Sequence, residues 1–331
     1  MGLVNSKYVK IIDPPEQNPF PAQRTIGRVF IGDELERALV RQGAEGAARY
    51  WDRVLPFYQS RPWVWAWEGP NEPGVASPQA ITNLVDFTRQ WGKMMRDGDL
   101  RSVGLNLSVG WPRLEDADLF VPVFPFIDYI DLHEYSAPTM QHTAGHLCLR
   151  YRQTYEIWRE IWATPPPKLF IGECGIDGGV ISQPRKGWKT FGSQAKFADQ
   201  LEWYNRELER DAFVEAAFIF TSGPHQDWKD FDFNESLSCW LSCFIDNDKS
   251  LESVIIINTQ ASVIPQNPAA AFYIYGWDRM KWAPIGPEVR IENAGQKYVA
   301  QRWYEPATQM QHILYCLDGH WHDIRVIDRP N

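Results

Sequence analysis

Short runs of apolar residues alternate with longer segments of helical periodicity along the first two thirds of the chain. The short runs are rich in β-branched and aromatic residues and end at Pro, Gly or polar residues, as buried strands do. They lie at 7–13, 25–31, 63–69, 102–110, 129–136, 168–175 and 215–222. Between them, segments such as 34–58 and 77–95 place apolar residues three and four positions apart, which predicts amphipathic helices. Strands that alternate with helices predict an α/β fold with a parallel sheet, here a TIM (β/α)8 barrel.

The pattern changes after residue 245, where the alternation fades. Short runs at 298–304, 311–317 and 321–327 resemble antiparallel strands, and the Asp-Gly pair between the last two favours a hairpin. A barrel of this kind takes about 250 residues. Since the chain has 331 residues, we predict a barrel domain at 1–245 and a β-rich extension at 246–331 packed on it. A sugar-binding accessory module is the alternative for the extension.

Composition narrows the classes of function. The formal net charge of -9, without a basic stripe, argues against a nucleic-acid partner. No apolar run reaches transmembrane length and no secretory leader is recognisable, so we expect no membrane partner and leave the compartment open. The five cysteines lack metal-ligand spacing, and we predict neither a metal site nor a cofactor. The 16 Trp and 13 Tyr residues suit a carbohydrate groove, because aromatic rings pack on the apolar faces of sugars.

Polar residues suited to acid-base and nucleophilic chemistry stand at the ends of three predicted strands. The three segments end in Asn71-Glu72-Pro, His133-x-Tyr135 and Gly-Glu173-x-Gly. A carboxyl group at the end of a barrel strand is held still and partly dry, as a general acid requires. A Glu between glycines leaves room for a ligand close to the backbone, as a nucleophile requires. The sequence therefore places two candidate catalytic carboxylates, Glu72 and Glu173, at one edge of the sheet.

The order of these motifs, each closing an apolar strand, resembles that of the clan A retaining glycoside hydrolases, which are (β/α)8 barrels. The resemblance covers roughly residues 8–245 and does not distinguish among the families of the clan. It implies that Glu72 closes strand four and is the acid/base, and that Glu173 closes strand seven and is the nucleophile. It also implies that Asn71 binds the sugar 2-hydroxyl, and that His133 and Tyr135 contact the sugar and orient Glu173.

This numbering leaves the first strand of the barrel unassigned. If Glu72 closes strand four, then the runs at 7–13 and 25–31 are strands two and three, and only six residues precede them. An open barrel would expose an unpaired sheet edge. We therefore expect either a truncated sequence or a replacement strand from the C-terminal part, such as 253–258.

The implied reaction is hydrolysis of a β-linked oligosaccharide or polysaccharide with retention, through two displacements by carboxyl groups about 5–5.5 Å apart. We expect Glu72 to hold its proton at rest and Glu173 to stay ionised, with hydrogen bonds from Tyr135 and Arg28. Two further aromatic residues, Trp111 and Trp228, are candidate sugar contacts. Glu68 and Glu134 are given structural or supporting roles. The alternative function is a barrel that binds carbohydrate without cleaving it.

Overall fold

The computed structural model describes residues 7–183, 187–222 and 228–232, and the backbones of further strands between residues 255 and 326. Eight parallel strands close into a barrel in which each strand pairs with its neighbours in chain order and the last pairs with the first. They are β1 (Tyr8–Ile12), β2 (Arg24–Arg28), β3 (Ala66–Glu68), β4 (Ser102–Leu107), β5 (Tyr129–Ser136), β6 (Lys168–Ile176), β7 (Val214–Ser222) and β8 (Ile255–Gln260). The predicted TIM-barrel fold is confirmed.

The barrel is closed by its C-terminal strand. β8 pairs in parallel with β7 on one side and with β1 on the other, where Lys10 lies opposite Asn258 and Ile12 lies opposite Gln260. The replacement strand expected at 253–258 is thus present, shifted by two residues, and it satisfies the edges of β1 and β7. The division at residue 245 stays a prediction, although 255–260 lies in the barrel sheet and not in an extension.

Six α-helices are found in the part of the chain described with side chains. They are α1 (Asp33–Val40), α2 (Gly43–Ser60), α3 (Pro78–Asp97), α4 (Tyr151–Ile161), α5 (Trp188–Phe191) and α6 (Gln194–Leu208). The single helix predicted at 34–58 is wrong, because the chain breaks into α1 and α2 at Gly43, whose φ is +59°. The start of α3 is as predicted, with the Ser77 side chain accepting a hydrogen bond from the N–H of Ala80 and Pro78 in the first turn.

The helices pack their apolar faces on the outside of the barrel. The largest core cluster lies between helices and strands and includes Trp67, Trp91 and Trp158, all buried. A smaller cluster comes mostly from the strands themselves, among them Ile26, Val103 and Phe170. None of the helices described is long and apolar enough to cross a membrane.

The described C-terminal part contains five antiparallel strands, and the last three correspond to the three that the sequence predicts. The strands are β9 (Ala283–Pro284), β10 (Val289–Asn293), β11 (Gln296–Glu305), β12 (Met310–Leu317) and β13 (His320–Val326). β12 and β13 pair antiparallel with Leu317 opposite His320, as expected for the predicted hairpin. Packing of this sheet on the barrel stays a prediction.

Candidate active site

The candidate residues come together at the carboxyl ends of the strands, where barrel enzymes hold their active sites. Glu72 lies in the loop after β3, His133 and Tyr135 lie on β5, and Glu173 lies on β6. Successive side chains of a strand point to opposite faces, so the spacing of two puts His133 and Tyr135 on the same face. The register of β5 and β6 shifts at this point, and His133 pairs directly with Glu173.

Glu173 lies beside a hydrogen-bond donor and a guanidinium. The hydroxyl of Tyr135 donates to its Oε2 at 2.9 Å, and Nη1 of Arg28 lies 3.8 Å from its Oε1. Burial raises the pKa of Tyr135 well above its ordinary value, and the charge of Glu173 raises it further, so the hydroxyl keeps its proton. Burial lowers the pKa of Arg28, but Glu173 and other carboxylates outweigh it and the net shift is upward. Glu173 thus has one hydrogen-bond donor and one guanidinium beside its carboxyl group.

Glu72 has a different environment. Its φ is +41°, and its backbone N–H donates to the carbonyl of Asn106 at 3.0 Å, which fixes the loop to the end of β4. Its Oε1 lies 3.0 Å from Nδ1 of His133. The Glu72 side chain is 30% exposed, whereas that of Glu173 is 9% exposed. Glu72 is thus the carboxyl group with more access to solvent, and its described partner is an imidazole.

The two carboxyl groups face each other across a short distance. One oxygen of Glu72, one of Glu173 and a ring nitrogen of His133 all lie within 4.8 Å of one another. This is close to the separation of about 5–5.5 Å that lets one carboxylate attack a sugar while the other protonates the leaving group. The same three side chains would also suit a metal ion, but the Arg28 guanidinium beside Glu173 would repel one. The absence of a metal site stays a prediction.

A buried carboxylate that the sequence did not single out supports the Asn71-Glu72 segment. Glu36 on α1 is 1% exposed and accepts the backbone N–H of Asn71 at 2.9 Å and that of Ile31 at 3.2 Å. Burial raises the pKa of Glu36 although these hydrogen bonds and Arg28 lower it. The side-chain oxygen of Asn71 accepts a hydrogen bond from Arg28. Glu36, Asn71 and Arg28 therefore link the loop of Glu72 to the carboxylate of Glu173.

Behind Glu72 and Glu173, four ionisable side chains lie inside the barrel with no exposed surface. Nζ of Lys10 lies 2.9 Å from Glu68 and 3.9 Å from Asp131, and Nε2 of His133 lies 3.9 Å from the same oxygen of Asp131. The other oxygen of Asp131 accepts the N–H of Gly172 at 2.6 Å. Burial and the neighbouring Glu68 raise the pKa of Asp131 to about 8. Glu68 is therefore an interior residue, in line with the supporting role expected for it.

His133 lies between these interior side chains and the two carboxyl groups of Glu72 and Glu173. Burial lowers the pKa of its imidazole, but Glu173, the hydrogen bond to Glu72, and Asp131 outweigh burial and raise the pKa to about 9. Its side chain has no exposed surface, so the expected contact with a sugar is not met in this structure. The neighbouring Glu134 points to the helices, where the N–H groups of Leu149 and Tyr151 donate to it.

A cleft of about 610 Å³ opens above the two carboxylates. Its aromatic surface comes from Phe30, Phe220, Trp228 and Phe231, and its polar surface includes Asn71, Asp33, Arg37 and Asp177. Trp228 thus lines the cleft, and its predicted contact with a sugar stays a prediction. Trp111 does not line this cleft and instead lies against Arg113, with 5.4 Å between the guanidinium and the ring centroid.

Phe30 and Asp33 were missed, although they follow the carboxyl end of β2, the position at which barrel strands deliver site residues.

No protein-family model matches the chain, and no curated protein matches it either. Among solved structures it is similar to Gas2p of Saccharomyces cerevisiae in complex with laminaritetraose and laminaripentaose, at 11% identity and a TM-score of 0.37 over 68% of this chain and 49% of that one. It is also similar to a modular endo-β-1,4-mannanase of Cellulomonas fimi, at 11% identity and a TM-score of 0.39 over 92% and 76%. A third is AbfB, a family 51 α-L-arabinofuranosidase of Bifidobacterium longum, at 11% identity and a TM-score of 0.35 over 90% and 62%. The chain spans about half the length of the yeast protein.

Proposed function

We propose that this protein is a retaining glycoside hydrolase that cleaves a β-linked glycan by double displacement. The observation that carries the proposal is the pair of carboxyl groups of Glu72 and Glu173, which approach within 4.8 Å at the carboxyl end of a parallel barrel. Oxygens this close lie well below the separation of about 6.5–9.5 Å at which inverting enzymes hold their carboxyl groups.

The different neighbours of the two carboxyl groups assign their roles. Glu173 is the nucleophile, because the Tyr135 hydroxyl donates a hydrogen bond to it and the Arg28 guanidinium lies beside it. Glu72 is the acid/base, because it is more exposed and lies beside His133, which supplies a proton-exchanging neighbour. Asn71, next to Glu72 and on the cleft wall, is placed to bind a sugar hydroxyl.

The cleft indicates the class of substrate. Aromatic side chains lie beside polar and charged ones along it, which matches the apolar faces and hydroxyl rims of sugar rings. We propose an oligosaccharide or polysaccharide substrate, with Trp228 and Phe220 as packing surfaces for the ring. The alternative is a barrel that binds carbohydrate without cleaving it; a missing barrel strand would favour it, and the closure of the sheet by β8 supports the enzyme instead.

The proposal is tested by intact-mass spectrometry after exposure to a panel of 2-deoxy-2-fluoro glycosyl fluorides, which trap the covalent intermediate of a retaining enzyme. We expect a mass gain of one fluorosugar, mapped to the peptide that carries Glu173, and none in the Glu173→Gln variant. A label on another residue would overturn the role of Glu173. Glycan binding without any label or hydrolysis across the panel would favour the non-catalytic barrel.

A further inference from the structure

His133 occupies a position between two sets of carboxyl groups. Its Nδ1 lies 3.0 Å from Glu72 and 3.6 Å from Glu173. Its Nε2 faces Asp131 at 3.9 Å, and neither this nitrogen nor the facing Asp131 oxygen has a hydrogen-bond partner among the described residues. The ring is wholly buried, so its protonation is governed by these neighbours and not by direct contact with solvent.

The surrounding charges favour a positively charged ring. Arg28 lies against Glu173, and Lys10 lies against Glu68, so each of these carboxylates has a cation beside it. His133 lies beside Glu72, with 3.0 Å between its Nδ1 and the Oε1 of Glu72. A carboxylate that faces a neutral imidazole would forgo the attraction that an imidazolium provides, and this attraction is strong here because the ring is wholly buried.

We infer that His133 is a positioning residue that stores the catalytic proton as an imidazolium and exchanges it with Glu72. This inference rests on the proposed function and extends it. Glu72 alone cannot both pair with the imidazolium as a carboxylate and hold a proton for the leaving group. The pair together holds one proton, which lies on Nδ1 of His133 in the resting protein and moves along the hydrogen bond to Glu72 when the leaving oxygen needs it.

The first displacement then balances as follows. Glu173 forms a bond from its carboxylate oxygen to the anomeric carbon, and the bond from that carbon to the leaving oxygen breaks. The leaving oxygen takes a proton from Glu72, which takes the Nδ1 proton of His133. Glu72 is left as a carboxylate, His133 is left neutral, and the charge of Glu173 is neutralised in the ester.

The second displacement reverses the transfer. Water attacks the anomeric carbon, the ester bond to Glu173 breaks, and the water proton passes through Glu72 to Nδ1 of His133. The return of negative charge to Glu173 draws this proton back, since the charge of Glu173 favours the imidazolium across 3.6 Å. The nucleophile thus controls the proton of the acid/base through a residue that contacts both.

The test follows the protonation of His133 by NMR in protein labelled with 15N-histidine, with a His133→Gln variant to assign its signals among the seven histidines. We compare the wild-type protein with Glu173→Gln, which mimics the neutral ester. Glu72→Gln is the second variant and covers the case in which Glu173→Gln fails to fold. Glu134→Gln is the matched control, because Glu134 is a buried carboxylate next to His133 on β5 that points to the helices.

We expect the wild-type ring to be protonated at pH 7, and its titration midpoint to fall by about one pH unit or more in Glu173→Gln and in Glu72→Gln. The midpoint should not move in Glu134→Gln. A neutral wild-type ring at pH 7, or equal shifts in all three variants, would overturn the inference.

The titration needs no substrate, so it is independent of glycan cleavage. Labelling of Glu173 together with a neutral His133 would support the proposed function and overturn the role of His133 as a proton store. The expected titration without labelling by any fluorosugar would overturn the proposed function, and the imidazolium at His133 would still stand.

Discussion

Glu72 and Glu173 are the same residue type in one cleft, and their neighbours make them different. The Tyr135 hydroxyl donates to Glu173 and Arg28 lies beside it, whereas Glu72 faces the ring of His133. A hydroxyl whose pKa is raised by burial and by the nearby carboxylate gives a hydrogen bond and keeps its proton, and an imidazole can exchange its proton. The assignment of nucleophile and acid/base therefore follows from the residues on β5 as much as from the glutamates.

The Glu72→Ala variant tests whether Glu72 is the general acid. We expect kcat to fall by a factor of about 100 to 10,000 for glycosides with poor leaving groups, because general acid catalysis contributes about that much. Substrates with very good leaving groups should keep a fast first step, which a pre-steady-state burst of released aryl alcohol measures. An equal loss on both kinds of substrate would contradict the role of Glu72.

The candidate site residues at the ends of strands could be predicted from the sequence. The residues that position them could not. Tyr135 and Arg28 were found because they belong to a motif or to an early strand, and both reach Glu173. Glu36 carries no local signal, since it is one of several acidic residues at the start of a helix. Its function arises only when α1 packs against the loop of Asn71, which no spacing in the sequence indicates.

At the scale of elements, α1 fixes the loop that carries Glu72. The two oxygens of Glu36 accept the N–H groups of Asn71 and Ile31, and a Gln at this position would have only one acceptor oxygen. We expect Glu36→Gln to lower kcat/KM by about tenfold to a hundredfold, as small displacements of catalytic groups do. Steady-state kinetics on an activated aryl glycoside measures this.

Glu34→Gln is the matched control for Glu36→Gln, because Glu34 lies on the same helix with its side chain 87% exposed. Its kinetics should equal those of the wild-type protein. Equal kinetics for both variants would show that Glu36 does not position the loop.

β6 approaches β5 so closely that one glycine is required. A Cβ on Gly172 would lie 2.0 Å from an oxygen of Asp131, whose carboxylate also accepts the N–H of Gly172. We expect Gly172→Ala to lower the free energy of unfolding by about 1–3 kcal/mol, the usual cost of overpacking. Urea unfolding measures this, and Gly74→Ala is the control because nothing lies within 4 Å of its Cβ. Similar midpoints for the two variants would contradict the predicted clash.

At the scale of the whole molecule, the ends of the barrel strands opposite the cleft are joined by ion pairs around Glu215. This residue of β7 accepts hydrogen bonds from the Tyr8 hydroxyl and from Nζ of Lys7 and Lys168, at 3.0 and 2.9 Å for the two lysines. The contacts connect β7 with β1, which lies on the far side of β8, and with β6. Burial raises the pKa of Glu215, but these hydrogen bonds outweigh it and lower the pKa to about 2.

A lowered pKa in the folded protein stabilises the fold above the ordinary pKa of a Glu, about 4.3. That contribution is lost as the pH falls from about 5 towards 2. We expect Glu215→Gln to be less stable than the wild-type protein at pH 7 and to lose less stability on acidification, as measured by thermal unfolding between pH 7 and pH 2. The exposed Glu45→Gln should follow the wild-type curve. Parallel curves for the wild-type protein and Glu215→Gln would contradict the prediction.

The architecture of the barrel was predictable because each strand has its own apolar run, and seven of the eight were placed from these runs. The break between α1 and α2 was not predictable, because the apolar spacing continues through Gly43 and the positive φ of this glycine interrupts the helix. The closing strand was one of two alternatives, since a run such as Ile255–Gln260 has the same pattern whether it closes a barrel or pairs elsewhere.

The pairing of β8 with β1 also has a consequence for the growing polypeptide. β1 is made before the other strands of the barrel, and its second partner strand is made only after all of them. Until then β1 and β7 each have an unpaired edge, and contacts between strands so far apart in sequence form slowly. We expect the strands that lead to Glu72 and Glu173 to be synthesised well before the barrel can close. The nascent chain should depend on chaperones during that interval.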